Sequence, residues 1–315
     1  MPDTLLLHIG YPKSGTTTLQ ESLFLNAPGI FFMGKANGPY CPPEIDALRA
    51  LINYGTYHHV TTRAASVIGT IREVWQKDGR ETALISLEGL TNPFVDTHYS
   101  QPKDTFRKLN DIARVLAPLQ DSGVKVRIFV TLRDQTALLP SLFSQVYLQG
   151  FASGLYGPSY ASFLDALLQD DILGYGPEFC FDAVLDHLGS LFGAENVFAS
   201  VMNGLLSGSP CRDTAAAAAF MGLGEDACIA LIGTTRSNVR KGALGRRMMT
   251  ESGGVERFER NTGISLRAKA FPLSDRLRLW RHKRVYWHLS DEEDRIRAYF
   301  AASNARLKST HGISF

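Results

Sequence analysis

Apolar runs of strand length punctuate the chain at Thr4–Ile9, Thr82–Leu87, Val124–Leu132 and Asn196–Val201, with a weaker run at Gly29–Met33. Between them the spacing turns helical. Phe106, Leu109, Ile112, Leu116 and Leu119 recur every three or four residues within Thr105–Leu119, and Pro177–Phe192 reads the same way. Strands alternating with helices predict an α/β protein, a parallel sheet flanked by helices on both faces. The alanine run at 215–219 extends this helical character, and Ser290 with Glu293 three residues on forms a capping signal for a closing amphipathic helix. Gly34–Pro43 and Gly150–Tyr160, rich in Gly, Pro and aromatics, predict long loops. No internal repeat or linker divides the chain, so one domain over residues 1–315 is expected.

Composition narrows the function class. A hydrophobic content of 44% and a charged content of 20% suit an ordinary globular core, and a net charge of +2 argues against a global polyanion binder. The charge is uneven, however: Arg236 to Arg284 holds fourteen Lys or Arg against four acidic residues. The four cysteines are scattered without a CxxC pair, so neither a metal site nor a disulfide framework is expected. No apolar run reaches membrane-spanning length, and MPDTLLLHIG lacks a basic leader. The expectation is a cytoplasmic protein with no membrane span, no metal and no nucleic-acid partner, its oligomeric state open.

The chemistry concentrates at HIGYPKSGTTTLQ, residues 8–20. A strand enters a tight loop, Gly10–Thr17, and a helical pattern with Leu19, Leu23 and Phe24 leaves it. Backbone N–H groups and the positive end of a helix dipole converge on an anion in such a turn. Gly10 and Gly15 have Walker A spacing, but the lysine sits inside the loop at Lys13, and Thr16 takes the place where a nucleoside-triphosphatase carries lysine. PKSGTT resembles the 5′-phosphosulfate loop of sulfotransferases that use 3′-phosphoadenosine 5′-phosphosulfate (PAPS). The resemblance implies a P-loop-like fold. It also implies that Lys13 contacts the bridging oxygen while Ser14, Gly15, Thr16 and Thr17 hold the 5′-phosphate.

A second anion site is expected where the strand KVRIFVTL delivers Arg133 and a helix Gln135–Gln149, containing Pro140, carries Ser141 eight residues later. A guanidinium grips a phosphate through two N–H bonds and a hydroxyl adds a donor. The pair resembles the 3′-phosphate motif of the same family. Arg240, Lys241 and Gly242 resemble its later RKG, without the aromatic and acidic residues that usually follow, and Arg236 and Asn238 are alternative contacts. Glu88, following the strand ETALIS, is the expected base for an acceptor hydroxyl. His58, His59 and His98 are its rivals, and His8 is expected to be a packed, hydrogen-bonded core histidine. The resemblance thus implies sulfonate transfer from PAPS to a carbohydrate or other small acceptor. A P-loop kinase with Mg²⁺ held by Glu88 or Asp134, and a non-enzymatic polyanion binder using residues 236–284, are the alternatives.

Overall fold

β1 (Thr4–Gly10) occupies the centre of a five-stranded parallel sheet, and every residue in it after Thr4 is buried. The structure, a computed structural model, describes residues 4–11, 13–34, 42–91, 104–152, 160–169, 176–207, 210–233 and 290–315. After the first loop, α1 (Thr16–Thr18) runs into a π-helical segment (Leu19–Phe24), closed by a bond from Leu25 N–H to the Gln20 carbonyl at 3.1 Å. Then come β2 (Ile30–Met33), α2 (Pro43–Tyr54), α3 (Tyr57–Asp78), β3 (Thr82–Ser86) and a 3₁₀ turn (Glu88–Thr91). The second half holds α4 (Thr105–Asp121), β4 (Lys125–Leu132), α5 (Gln135–Ala152), α6 (Tyr160–Leu168), a 3₁₀ turn (Gly176–Phe179), α7 (Phe181–Phe192) and β5 (Val197–Val201). α8 (Met202–Leu205), α9 (Arg212–Met221), α10 (Glu225–Gly233) and α11 (Ser290–His311) complete the described elements.

The strand order is β2-β3-β1-β4-β5 and all pairs are parallel. Alternation along β1 divides the core. Leu5, Leu7 and Ile9 join a large cluster with residues of α2 to α7 and α11; Leu6 joins a smaller one with Leu19, Leu23, Phe24, α9 and α10. Both faces are therefore covered, as near-continuous apolar strands require. From β1 the chain crosses toward β2 and β3; from β4 it crosses toward β5. The loops after β1 and β4 thus diverge at a topological switch point, where open α/β sheets bind ligands.

Several boundaries differ from the expected ones. α2 starts at Pro43 and α5 reaches Ala152, so helices enter both segments expected to be loops. Pro177–Phe192 is not one helix: a 3₁₀ turn ends at Phe179, and Cys180, at ψ 85°, breaks the helical backbone before α7. α3, 22 residues long, was not legible from periodicity. Val60, Ala64, Ile68, Ile71 and Trp75 form its buried stripe, but β-branched residues and a mid-helix Gly69 weaken its propensity. Among the described residues no single helix is long and apolar enough to cross a membrane.

Candidate active site

The loop between β1 and α1 is shaped by two close approaches and two left-handed residues. A side chain at position 10 would put its Cβ 1.9 Å from Thr16 Cγ2 and 2.9 Å from Thr131 Oγ1, so only glycine fits. Gly15 has φ 78°, and Lys13 is the one non-glycine among the described residues with positive φ, at 66°. A left-handed backbone at a side-chain-bearing residue costs of order 1 kcal/mol or more, and such strain collects at ligand clamps. Positive φ at residues 13 and 15, leading into helical Thr16, gives a backbone of the kind that can form an anion nest. The first helical bond runs from Leu19 N–H to the Gly15 carbonyl at 3.1 Å. The N–H groups of Gly15, Thr16 and Thr17 come before it, as the donors a helix start leaves over. Lys13 is exposed.

Ser14 differs from its neighbours. It is fully buried, its N–H donates to the Tyr11 carbonyl at 3.1 Å, and its hydroxyl donates to the same oxygen at 2.6 Å. Its side chain closes the loop onto the Tyr11 carbonyl, and the donors left over at the helix start are those of Gly15, Thr16 and Thr17. Arg133, directly after β4, reaches across the switch point: its Nη1 donates to the Lys13 carbonyl at 2.8 Å. The next residue, Asp134, caps α5 by accepting from Thr136 N–H at 2.8 Å. Ser141 lies half-buried in the second turn of that helix.

Glu88 opens the 3₁₀ turn rather than continuing β3. The turn is held against β1 from both ends, by Leu87 N–H to the His8 carbonyl at 3.0 Å and by the Thr91 hydroxyl to the Gly10 carbonyl at 3.0 Å. The backbone of Glu88 is therefore placed beside the loop; its side chain lies outside the described residues. His58 and His59 are exposed in the first turn of α3. Arg236, Asn238, Arg240, Lys241, Gly242, His98 and the basic stretch 236–284 also lie outside the described residues. Among the described residues no group of three His, Cys, Asp or Glu side chains could hold a metal ion.

Two buried polar layers lie under the loop; His8 is the packed core histidine expected from the sequence, but its partners and the second layer were not read there. On one face of the sheet His8 is fully buried, with Nδ1 2.7 Å from Ser86 Oγ and Nε2 3.2 Å from Thr131 Oγ1. Gln20 Nε2 donates to Ser86 at 2.8 Å, and Thr131 Oγ1 lies 2.9 Å from Ser14 Oγ. Phe24 and Phe129 flank the imidazole, and burial lowers its pKa to about 3. On the other face Tyr11 is buried against Phe181 and donates its hydroxyl to the Glu178 carbonyl at 2.7 Å. Glu178 accepts from the Thr105 hydroxyl, while its Oε1 has no hydrogen-bond partner among the described residues. Desolvation pushes the Glu178 pKa up to about 7, against the opposing pull of the Thr105 hydrogen bond and the Lys108 charge. The one available hint was polar residues, His8, Ser86 and Thr131, inside strands that are otherwise apolar.

No family model and no curated protein matches the chain. Among solved structures, the crystal structure of a sulfotransferase from Alicyclobacillus acidocaldarius is similar, with 16% identity and a TM-score of 0.38 over 85% of this chain and 98% of that one. A likeness that slight carries no function; the α/β architecture rests on the parallel sheet itself, and any activity on the loop.

Proposed function

We propose that the protein is a sulfotransferase that moves a sulfonate group from PAPS to a hydroxyl of a carbohydrate or another small metabolite. The observation that carries this reading is the loop after the central strand: an anion nest at the switch point with its lysine at position 13, inside the turn. The donor supplies an activated sulfonate whose transfer leaves negative charge on the 5′-phosphate side. Lys13 and the N–H groups of Gly15, Thr16 and Thr17 stabilise that charge, the largest single contribution such a site makes. Ser14 keeps the turn closed from inside. Arg133, which already touches the loop, takes the 3′-phosphate with Ser141 and with Arg240, Lys241 and Gly242. Glu88 accepts the proton of the acceptor hydroxyl. Capping of α5 engages Asp134, one of the two carboxylates considered for Mg²⁺, and Thr16 stands where an ATP-binding loop carries lysine, so both weigh against phosphate transfer.

Calorimetric titration with 3′,5′-bisphosphoadenosine, beside 5′-AMP and beside ATP with Mg²⁺, tests the reading. Preference for the bisphosphate is expected. Equal or tighter binding of ATP with Mg²⁺ would replace sulfonate transfer by the kinase alternative.

A further inference from the structure

The hydrogen bonds around His8 have only one self-consistent direction. A carbonyl cannot donate, so the single Ser14 hydroxyl proton goes to the Tyr11 oxygen. Thr131 must then donate to Ser14, and its own oxygen accepts from His8 Nε2–H. A neutral imidazole protonated at Nε2 leaves Nδ1 as an acceptor, which Ser86 fills, and Ser86 in turn accepts from the Gln20 amide. The chain runs Gln20, Ser86, His8, Thr131, Ser14, Tyr11, and each hydroxyl in it donates once and accepts once. An amide nitrogen at one end and a carbonyl oxygen at the other demand the same direction.

We propose that His8 is a positioning residue for the anion loop: its neutral imidazole, acting through Thr131, points the Ser14 hydroxyl at the Tyr11 carbonyl and so keeps Lys13 in its left-handed conformation. The link to Lys13 is short. Both donors of Ser14 close the turn from Tyr11 to Ser14, and Lys13 lies within that turn. Without the imidazole nothing drives the Thr131 proton toward Ser14, and Thr131 is free to accept from Ser14 instead, taking its proton from the Tyr11 oxygen. The role in transfer rests on the loop being a phosphosulfate site, whereas the direction of the chain does not.

Nitrogen-15 spectra of the histidine-labelled full chain test the direction, with His8→Gln used to assign the signal. A neutral ring protonated at Nε2 from pH 5 to 8 is expected; an Nδ1–H ring, or one titrating in that range, overturns the proposal. Function follows from three variants titrated with 3′,5′-bisphosphoadenosine. His8→Leu should weaken binding about tenfold or more, since it leaves buried partners unmatched. His8→Gln, which keeps one acceptor and one donor, should stay within about threefold of the parent. Thr131→Val should add little in the His8→Leu background. Additive losses, or a His8→Gln variant as weak as His8→Leu, reduce His8 to a packing residue. If His8→Leu does not fold, Thr131→Val beside His8→Gln carries the comparison. Should the parent chain bind no bisphosphate, the functional reading falls alone. Amide exchange at Ser14 then decides this proposal: faster in His8→Leu and protected in His8→Gln supports it, and equal protection in both overturns it.

Discussion

Two buried polar layers meet under the same loop from opposite faces of the sheet, and they are built differently. The layer through His8 consists of neutral groups, and a donor and an acceptor are matched at each link. The layer through Tyr11 ends on Glu178, an ionisable carboxyl with one unmatched oxygen and a pKa raised to about 7. Matched neutral networks rigidify without responding to pH, while a poorly solvated carboxyl ties stability to its protonation. The loop's own geometry should therefore be indifferent to pH near neutrality, while its footing on the core should not be.

The largest effect belongs to the exposed end of the loop. Lys13→Ala should lower sulfonate transfer about 10²- to 10³-fold, as loss of a charge-stabilising donor does elsewhere. Lys13→Gly should lose as much activity yet raise the melting temperature, because glycine relieves the left-handed backbone by about 1 kcal/mol. A Lys13→Gly enzyme that keeps its turnover would show that the backbone matters there and the charge does not.

Gly10→Ala comes next. Its methyl would lie 1.9 Å from Thr16 Cγ2, so the loop must shift. A loss of about 2–3 kcal/mol in denaturant melts is expected, together with weaker nucleotide binding. Unchanged binding would mean that the loop tolerates movement and that the neutral layer does not hold it rigid.

The charged layer should show itself through pH. Burial holds the folded pKa of Glu178 near 7, above the ordinary 4.5, so the folded chain keeps a proton that the unfolded chain gives up. The resulting stability is complete below about pH 4.5 and is lost as pH rises through 7, an effect of roughly 3 kcal/mol. Thermal melts should show Glu178→Gln flattening the part of the profile between pH 5 and 8 that falls with rising pH. An identical slope in parent and variant would remove Glu178 from the account. Tyr11→Phe should have the smallest effect. It deletes one buried hydrogen bond, to the Glu178 carbonyl, and should cost about 1 kcal/mol in the same melts.

Much of the architecture was legible in the chain because it depends on local pattern. The five apolar runs became the five strands to within a residue or two, and the polar loop at residues 10–17 announced itself by residue type. The two polar layers depend on register, which local pattern does not carry. Nothing near His8 in sequence reveals that it stands opposite Ser86 on one neighbouring strand and two residues before Gly10, the partner of Thr131, on the other. Tyr11 and Glu178, far apart in sequence, meet only because the turn before α7 packs beneath the loop. Ser14 illustrates the same limit within the motif: its residue type suits phosphate contact, but the fold turns both of its donors to Tyr11. α3 failed for a different reason, since burial of its Trp75 stripe overrides a composition that favours helix only weakly.

The most direct measurement is the phosphorus-31 spectrum of 3′,5′-bisphosphoadenosine with the parent chain and with Lys13→Ala. Both resonances should move on binding the parent, and Lys13→Ala should selectively reduce the shift of the 5′-phosphate. A 5′ resonance unmoved by the parent chain, or moved equally by Lys13→Ala, would contradict the claim that the Gly10–Thr17 loop holds that phosphate with its lysine.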